Sequence, residues 1–299
     1  LGEMRPEVFW GENAPGFAGK IGAPIREKMF KIGRDNGYVM SVYRTKSLLH
    51  GTPQVRERSF YFFWKGDRIP LLNYYNRPWI RIEDMIRSVT SNTQNEPISK
   101  KKPSDDPYYK FILEEIYGGI THREFSNDRL KKMNVRSNDA FSYIEQQGYD
   151  YKQLGEWMIK NDFNREAEKC EYKYKKLAEG KNIMRRGTIV PHDYIGAFVG
   201  FYTTSLTHPD EDRYITYREA MTIMGLPQNF ELLNPAKSSN HICQNVPYGT
   251  AKDMAFEVRA ALAGEREYVN AEMLYQFNNT RSHKIMSTVR GSQLEAFLN

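Results

Sequence analysis

The strongest constraint on the fold is the order of short apolar runs in the first seventy residues. Glu7-Val8-Phe9-Trp10 reads as a buried strand that closes at Gly11. From Ala23 to Arg34, Ile25, Met29 and Ile32 recur at helical spacing, and the pattern stops before Asn36-Gly37. Tyr38 to Tyr43 and Ser59 to Trp64 are rich in aromatic and β-branched residues and read as two further strands. A strand, a helix and two strands in that order predict an α/β sheet. A chain of 299 residues has room for one large domain or two ordinary ones.

The texture then changes. Residues 71–205 look irregular, with a polar loop from Ser88 to Asp106. Tyr151 to Arg186 reads as a charged helical stretch. Within Ile159 to Arg186, nine Lys/Arg face five Asp/Glu, an excess of four positive charges. Such a run is either a solvated helix face or a contact for a polyanion. Order returns after residue 206. Thr216 and Glu219 have capping-box spacing, the helix they open should end at Gly225, and Thr250 to Ala263 reads as a second helix. The tail from Gly264 to Asn299 receives no role.

The hydrophobic fraction, 40%, suits a globular protein, and no run of eighteen apolar residues suggests a membrane span. The opening residues lack the apolar core of a signal peptide, and a first residue of Leu predicts a cut or incomplete chain. Two cysteines, Cys170 and Cys243, make neither a metal pattern nor a disulfide framework, so no metal and a reduced cytoplasmic compartment are expected. A net charge of +6 with a pI near 9.0 permits a polyanionic partner without requiring one.

Three patches carry chemistry. The first is Arg5 to Gly16, in which Glu12-Asn13-Ala14-Pro15-Gly16 follows the first strand. Glu12 would then stand at the carboxyl end of a strand, where open α/β sheets place their ligands. The second is His50-Gly51-Thr52-Pro53-Gln54-Val55-Arg56-Glu57-Arg58, leading into an aromatic strand. In an extended segment Gln54, Arg56 and Arg58 share a side. The third runs from His208 through Arg213, Thr216, Arg218, Glu219 and Ala220 to Met224-Gly225-Leu226-Pro227 and Phe230, followed by Cys243-Gln244-Asn245-Val246-Pro247.

In this order the patches resemble the second half of the DNA (cytosine-5) methyltransferase family. Its Glu-Asn-Val strand end is met with Ala14 for Val. Its Gly-Val-Pro-Gln-x-Arg-x-Arg string is met with Thr52 for Val. Its Arg-x-Leu-Thr-x-Arg-Glu-Ala segment is closely matched. Gln244 departs from a glycine in the family's last motif, which puts the local backbone in question. The resemblance covers about residues 3–90 and 185–263.

It implies the C-terminal part of a doubly wound methyltransferase sheet with an inserted target-recognition region. On that reading residues 1–90 belong to the catalytic domain, 91–205 recognise the target, 206–263 close the catalytic domain, and 264–299 form the tail. The implied reaction moves a methyl group from S-adenosylmethionine to C5 of a cytosine flipped out of double-stranded DNA. Glu12, Arg58 and Arg56 are the implied catalytic residues, with Glu12 at cytosine N3 and Arg58 at O2. Asn13 and Gln54 would bind the substrate, and Asn245 with Val246 would border the methyl donor. The family's nucleophile is a Pro-Cys motif before the Glu-Asn strand, and neither Cys170 nor Cys243 has that context. The chain is therefore expected to be inactive alone and to need an N-terminal half or subunit that carries the motif. The alternative is a DNA-binding module that has lost the chemistry, although such a module has no need of Glu12, Arg56 and Arg58.

Overall fold

The computed structural model describes residues 1–129, 140–183, 187–191 and 193–278. The chain divides into two compact units, Leu1–Ile80 with Val246–Asn299, and Arg81–Asn245. In chain order its principal elements are β1 (Val8–Asn13), α1 (Ala23–Asp35), β2 (Tyr38–Lys46), β3 (Glu57–Lys65), β4 (Arg68–Pro70), α2 (Ile82–Arg87), α3 (Pro107–Phe111), α4 (His122–Glu124), α5 (Ala140–Gln146), α6 (Tyr151–Lys160), α7 (Asn164–Ala178), α8 (Tyr217–Ile223), α9 (Pro235–Gln244), α10 (Tyr248–Leu262), β5 (Tyr268–Asn270) and β6 (Met273–Phe277). Among the described residues no helix is long and apolar enough to cross a membrane.

The first unit is a mixed sheet in the order β1-β3-β2-β6. β3 runs antiparallel to both β1 and β2, and β6 lies parallel to β2. Strand alternation sorts the aromatic residues between two faces. Val39, Tyr43, Phe60, Phe62 and Trp64 pack with Met254, Val258 and Ala261 of α10. Tyr38, Met40, Val42 and Phe63 pack with Met29 and Phe30 of α1. Helices therefore cover both sides of the sheet. β1 extends two residues past the expected stop at Gly11, because Gly11, Glu12 and Asn13 pair in register with Tyr61, Phe60 and Ser59.

The inner face of α1 differs from the expected one. Ile25 and Ile32 are each 57% exposed, whereas Arg26 and Gly33 are buried. Gly33 is required there, since a Cβ at this position would stand 2.6 Å from the Phe63 ring. The tail, given no role from sequence, supplies β5 and β6; its residues 279–299 lie outside the described residues.

The second unit is helical and carries two apolar clusters. One joins α3, α5, α6 and α7 around Tyr109, Phe111, Tyr143 and Trp157. The other joins α2, α8 and α9 around Ile86, Phe198, Met221 and Ile242. The charged stretch expected as one helix is two, α6 and α7, parted at Asp162, whose φ is +62°. Arg185 and Arg186 of that stretch lie outside the described residues. Lys169, Lys175 and Lys181 are paired with Glu166, Glu171 and Glu179.

Thr216 and Glu219 form the expected capping box at the start of α8. Glu219 also accepts two bonds from Arg213, at 3.0 and 2.8 Å. Arg218 is fully buried and its Nε donates to the Thr93 carbonyl at 3.0 Å. The backbone N–H groups of Tyr217 and Arg218 donate to Glu96 and Gln94. This patch thus fastens residues 93–97 to α8. Residues 206–245 belong to the second unit and 246–263 to the first, so the segment read as one piece from sequence is shared between the two units.

Candidate active site

Glu12 ends the row Val8, Trp10, Glu12 on one face of β1, where the apolar side chains stop and solvent begins. Arg58 stands near the start of β3 on the same face, diagonal to the Glu12–Phe60 pair. Arg58 Nε lies 3.3 Å from Glu12 Oε2, and the two side chains are 18% and 39% exposed. Arg58 Nη1 also donates to the Glu57 carbonyl at 2.8 Å, which limits its swing. Glu57 faces away, toward Arg44 at 2.6 Å and Lys46 at 3.3 Å. Burial pushes its carboxyl up, but these two cations hold it below the usual carboxylate range.

The residues after Glu12 are fixed in turn. Asn13 accepts a bond from the Ala14 N–H at 2.8 Å, and a short helical turn opens at Pro15. Arg26 of α1 donates to the Phe17 carbonyl and, at 2.8 Å, to that of Gly19. Its Nε reaches the Tyr275 hydroxyl at 2.9 Å. Arg26 therefore ties the turn behind Glu12 to α1 and β6. Sequence reasoning missed it, because nothing local separates Arg26 from the exposed cations of the same helix.

Gln54 and Arg56 are buried, at 0% and 2% exposure. The Arg56 carbonyl accepts from the Ser47 N–H at 3.0 Å, closing the segment 47–56 into a loop. Of the three residues expected to share a side, Gln54 and Arg56 are buried, while Arg58 is partly exposed and meets Glu12.

Asn245 is the last residue of the second unit and Val246 the first residue of the returning segment of the first unit. Asn245 is the C-cap of α9 with φ −73° and ψ 160°, and its carboxamide donates to the His241 carbonyl at 2.8 Å. Neither it nor Gln244 has a positive φ, so the departure from glycine costs nothing in backbone strain. Val246 packs against the sheet core of the first unit. A carboxamide whose nitrogen is bonded to its own helix and an apolar side chain could border one side of an S-adenosylmethionine site, while its sulfonium, carboxylate and adenine need partners from other residues.

Both cysteines are buried and neither is in a disulfide. Burial pushes the Cys170 thiol up, beside the Tyr108 hydroxyl at 3.9 Å. Cys243 lies on α9 with its Sγ 3.8 Å from the Ser239 carbonyl. A buried thiol with a raised pKa is a poor nucleophile.

Residues 1–253 match the family model for C-5 cytosine-specific DNA methylases. The chain belongs to that family. No protein of curated function matches it. Among solved structures it is similar to a prophage-encoded protein of E. coli described as a DNA modification methyltransferase, with 14% identity and a TM-score of 0.48, covering 88% of this chain and 71% of that one. It is also similar to the Entamoeba histolytica methyltransferase EhMeth, with 11% identity, a TM-score of 0.44, and 86% and 63% coverage. A third is the S. pombe Dnmt2 methyltransferase, with 14% identity, a TM-score of 0.38, and 86% and 68% coverage. The family transfers a methyl group to cytosine C5, generally from S-adenosylmethionine.

Proposed function

We propose that this chain supplies the cytosine-binding part of a DNA (cytosine-5) methyltransferase. The Glu12–Arg58 pair at the open end of β1 and β3 carries the reading. A flipped cytosine offers O2, N3 and the 4-amino group along one edge. Arg58 is a fixed positive donor for O2. Glu12, when protonated, donates to N3 and accepts from the amine. In the family's reaction a thiolate adds to C6, C5 then takes the donor's methyl group as the donor sulfur leaves as a thioether, and loss of the C5 proton and the thiolate restores the ring. The two residues stabilise the negative charge that develops on the ring, and a preorganised donor does this without reorganisation at the moment of reaction.

The thiolate must come from a segment other than the two buried cysteines, and a Pro-Cys motif on an N-terminal half or subunit would provide it. The sheet has a place for such a partner. Among the described strands β1 is paired on one side only, and an open edge is a template for another strand. On it Phe9 is 45% exposed. The first unit would be the C-terminal part of a doubly wound sheet, and the second, within which residues 91–205 fall, the inserted target-recognition region. Double-stranded DNA is the partner this predicts.

The reading is tested by single-turnover methyl transfer in an enzyme reconstituted from this chain and a family fragment carrying the Pro-Cys motif. Changing Glu12 or Arg58 should abolish most of the transfer while DNA binding persists. Parent-level transfer by both variants would show the pair to be structural.

A further inference from the structure

Under α10 lies a second polar cluster that none of the roles above uses. His50 Nδ1 donates to the Asp253 carboxylate at 2.8 Å, and its Nε2 meets the Thr45 hydroxyl at 2.8 Å. The imidazole is fully buried and the Asp253 side chain is 6% exposed. Arg77 completes the cluster with bonds of 3.0 and 2.8 Å to the two Asp253 oxygens. The Tyr75 ring lies 4.9 Å from the imidazole. A Cβ on Gly249 of α10 would stand 2.8 Å from the His50 carbonyl, so the helix meets this backbone directly.

Buried ion clusters are not the cheapest way to fill a core, and apolar replacements of similar volume are often as stable. What such a cluster adds is direction. His50 sits within the closed loop 47–56. Its N–H and that of Thr52 both donate to the Ser47 carbonyl, and the Ser47 N–H donates to Arg56. Gly51, at φ +82°, makes the turn between them. Arg58 lies two residues beyond the loop's last bond.

We propose that His50 is a positioning residue for Arg58. Through Asp253 on one side and Thr45 on the other it locks the 47–56 loop to α10 and β2, and so sets the Arg58 guanidinium against Glu12. The kinetic part of this inference rests on the methyltransferase reading; the geometric part does not.

The test uses His50→Asn in the full chain, read in two ways. In the isotope-labelled chain, Glu12→Gln first establishes how far the Arg58 Nε–H resonance moves when its partner changes. His50→Asn should then displace that resonance, while the Trp64 indole N–H, which donates to Ser41 at 2.9 Å, keeps its position and reports an intact sheet. In the reconstituted enzyme kcat should fall roughly 10- to 100-fold, as misplacement of a reacting group by a distant change can do, with KM for DNA little altered. An unmoved Arg58 resonance in a variant that retains the Trp64 signal would overturn the proposal. Should His50→Asn fail to fold, Thr45→Val removes one of the two bonds at nearly constant volume, and the same resonances decide. If the parent reconstitution transfers no methyl group, the methyltransferase reading falls and the resonance measurement still decides the positioning role.

Discussion

Glu12 and Arg58 come from different strands, paired antiparallel with Asn13 opposite Ser59, and their side chains stand 3.3 Å apart on one face of the sheet. The pairing follows from the antiparallel ladder, which places the last acid of one strand diagonal to the first exposed cation of the next. It leaves an acid and a cation side by side at the sheet's open end.

In the reconstituted enzyme, Glu12→Gln keeps size but loses the carboxyl proton, and loss of a positioned acid costs about 10²–10⁴-fold in rate. Arg58→Ala removes a directed cationic donor and should cost on the order of 10²–10³-fold. Equilibrium DNA binding should change far less, because phosphate contacts supply most of the affinity. Single-turnover rates beside a binding titration separate the two effects.

Gly33→Val should destabilise the first unit. The added Cβ meets the Phe63 ring at 2.6 Å, inside any ordinary contact distance. Overpacking of this kind costs about 1–3 kcal/mol. Urea unfolding should show a lower midpoint, with Ile32→Val, on the exposed face of the same helix, as a near-neutral control.

These strands were legible because their signals are local, short runs rich in aromatic and β-branched residues. Glu12 and Arg58 were named by the family resemblance, and their contact across the ladder was not foreseen. The orientation of α1 was not legible. Ile25, Met29 and Ile32 mark a helix, but Arg26 is the residue that turns inward, because backbone carbonyls at Phe17 and Gly19 solvate its charge. β6 was also hidden, since its partner β2 lies more than two hundred residues away in sequence, as Asp253 does from His50. No local pattern announces a contact of that kind.

The second unit should lose stability in mild acid. Burial holds the His122 imidazole below its ordinary value, with its Nε2 donating to the His208 carbonyl and its Nδ1 accepting from Tyr109. Burial lowers His208 as well, helped by Arg213. Each group takes up a proton more readily unfolded than folded. Stability is therefore complete above the unfolded value, about 6.5, and declines as pH falls through the lower folded values. The urea midpoint should drop between about pH 7.5 and about pH 5.5, and His122→Asn should reduce the drop. An unchanged drop would place the acid sensitivity elsewhere.

Exchanging Arg81–Asn245 for the corresponding unit of another family member should change which DNA sequence is methylated, because base contacts specify and phosphate contacts position. The unit boundaries make this a cleaner exchange than residues 91–205, since α8 and α9 travel with the segments they hold. Sequencing of methylated sites reads the outcome, and an unaltered target would remove recognition from this unit.

The central claim is that this chain holds the cytosine while another segment supplies the thiolate. The most direct measurement is methyl transfer to duplex DNA by the chain alone, by a fragment carrying the Pro-Cys motif and the glycine-rich methyl-donor loop alone, and by the two mixed. Transfer by the mixture only, lost on Arg58→Ala, is the predicted result. Robust transfer by the chain alone would contradict the account, because it would require Cys170 or Cys243 to act from a buried position.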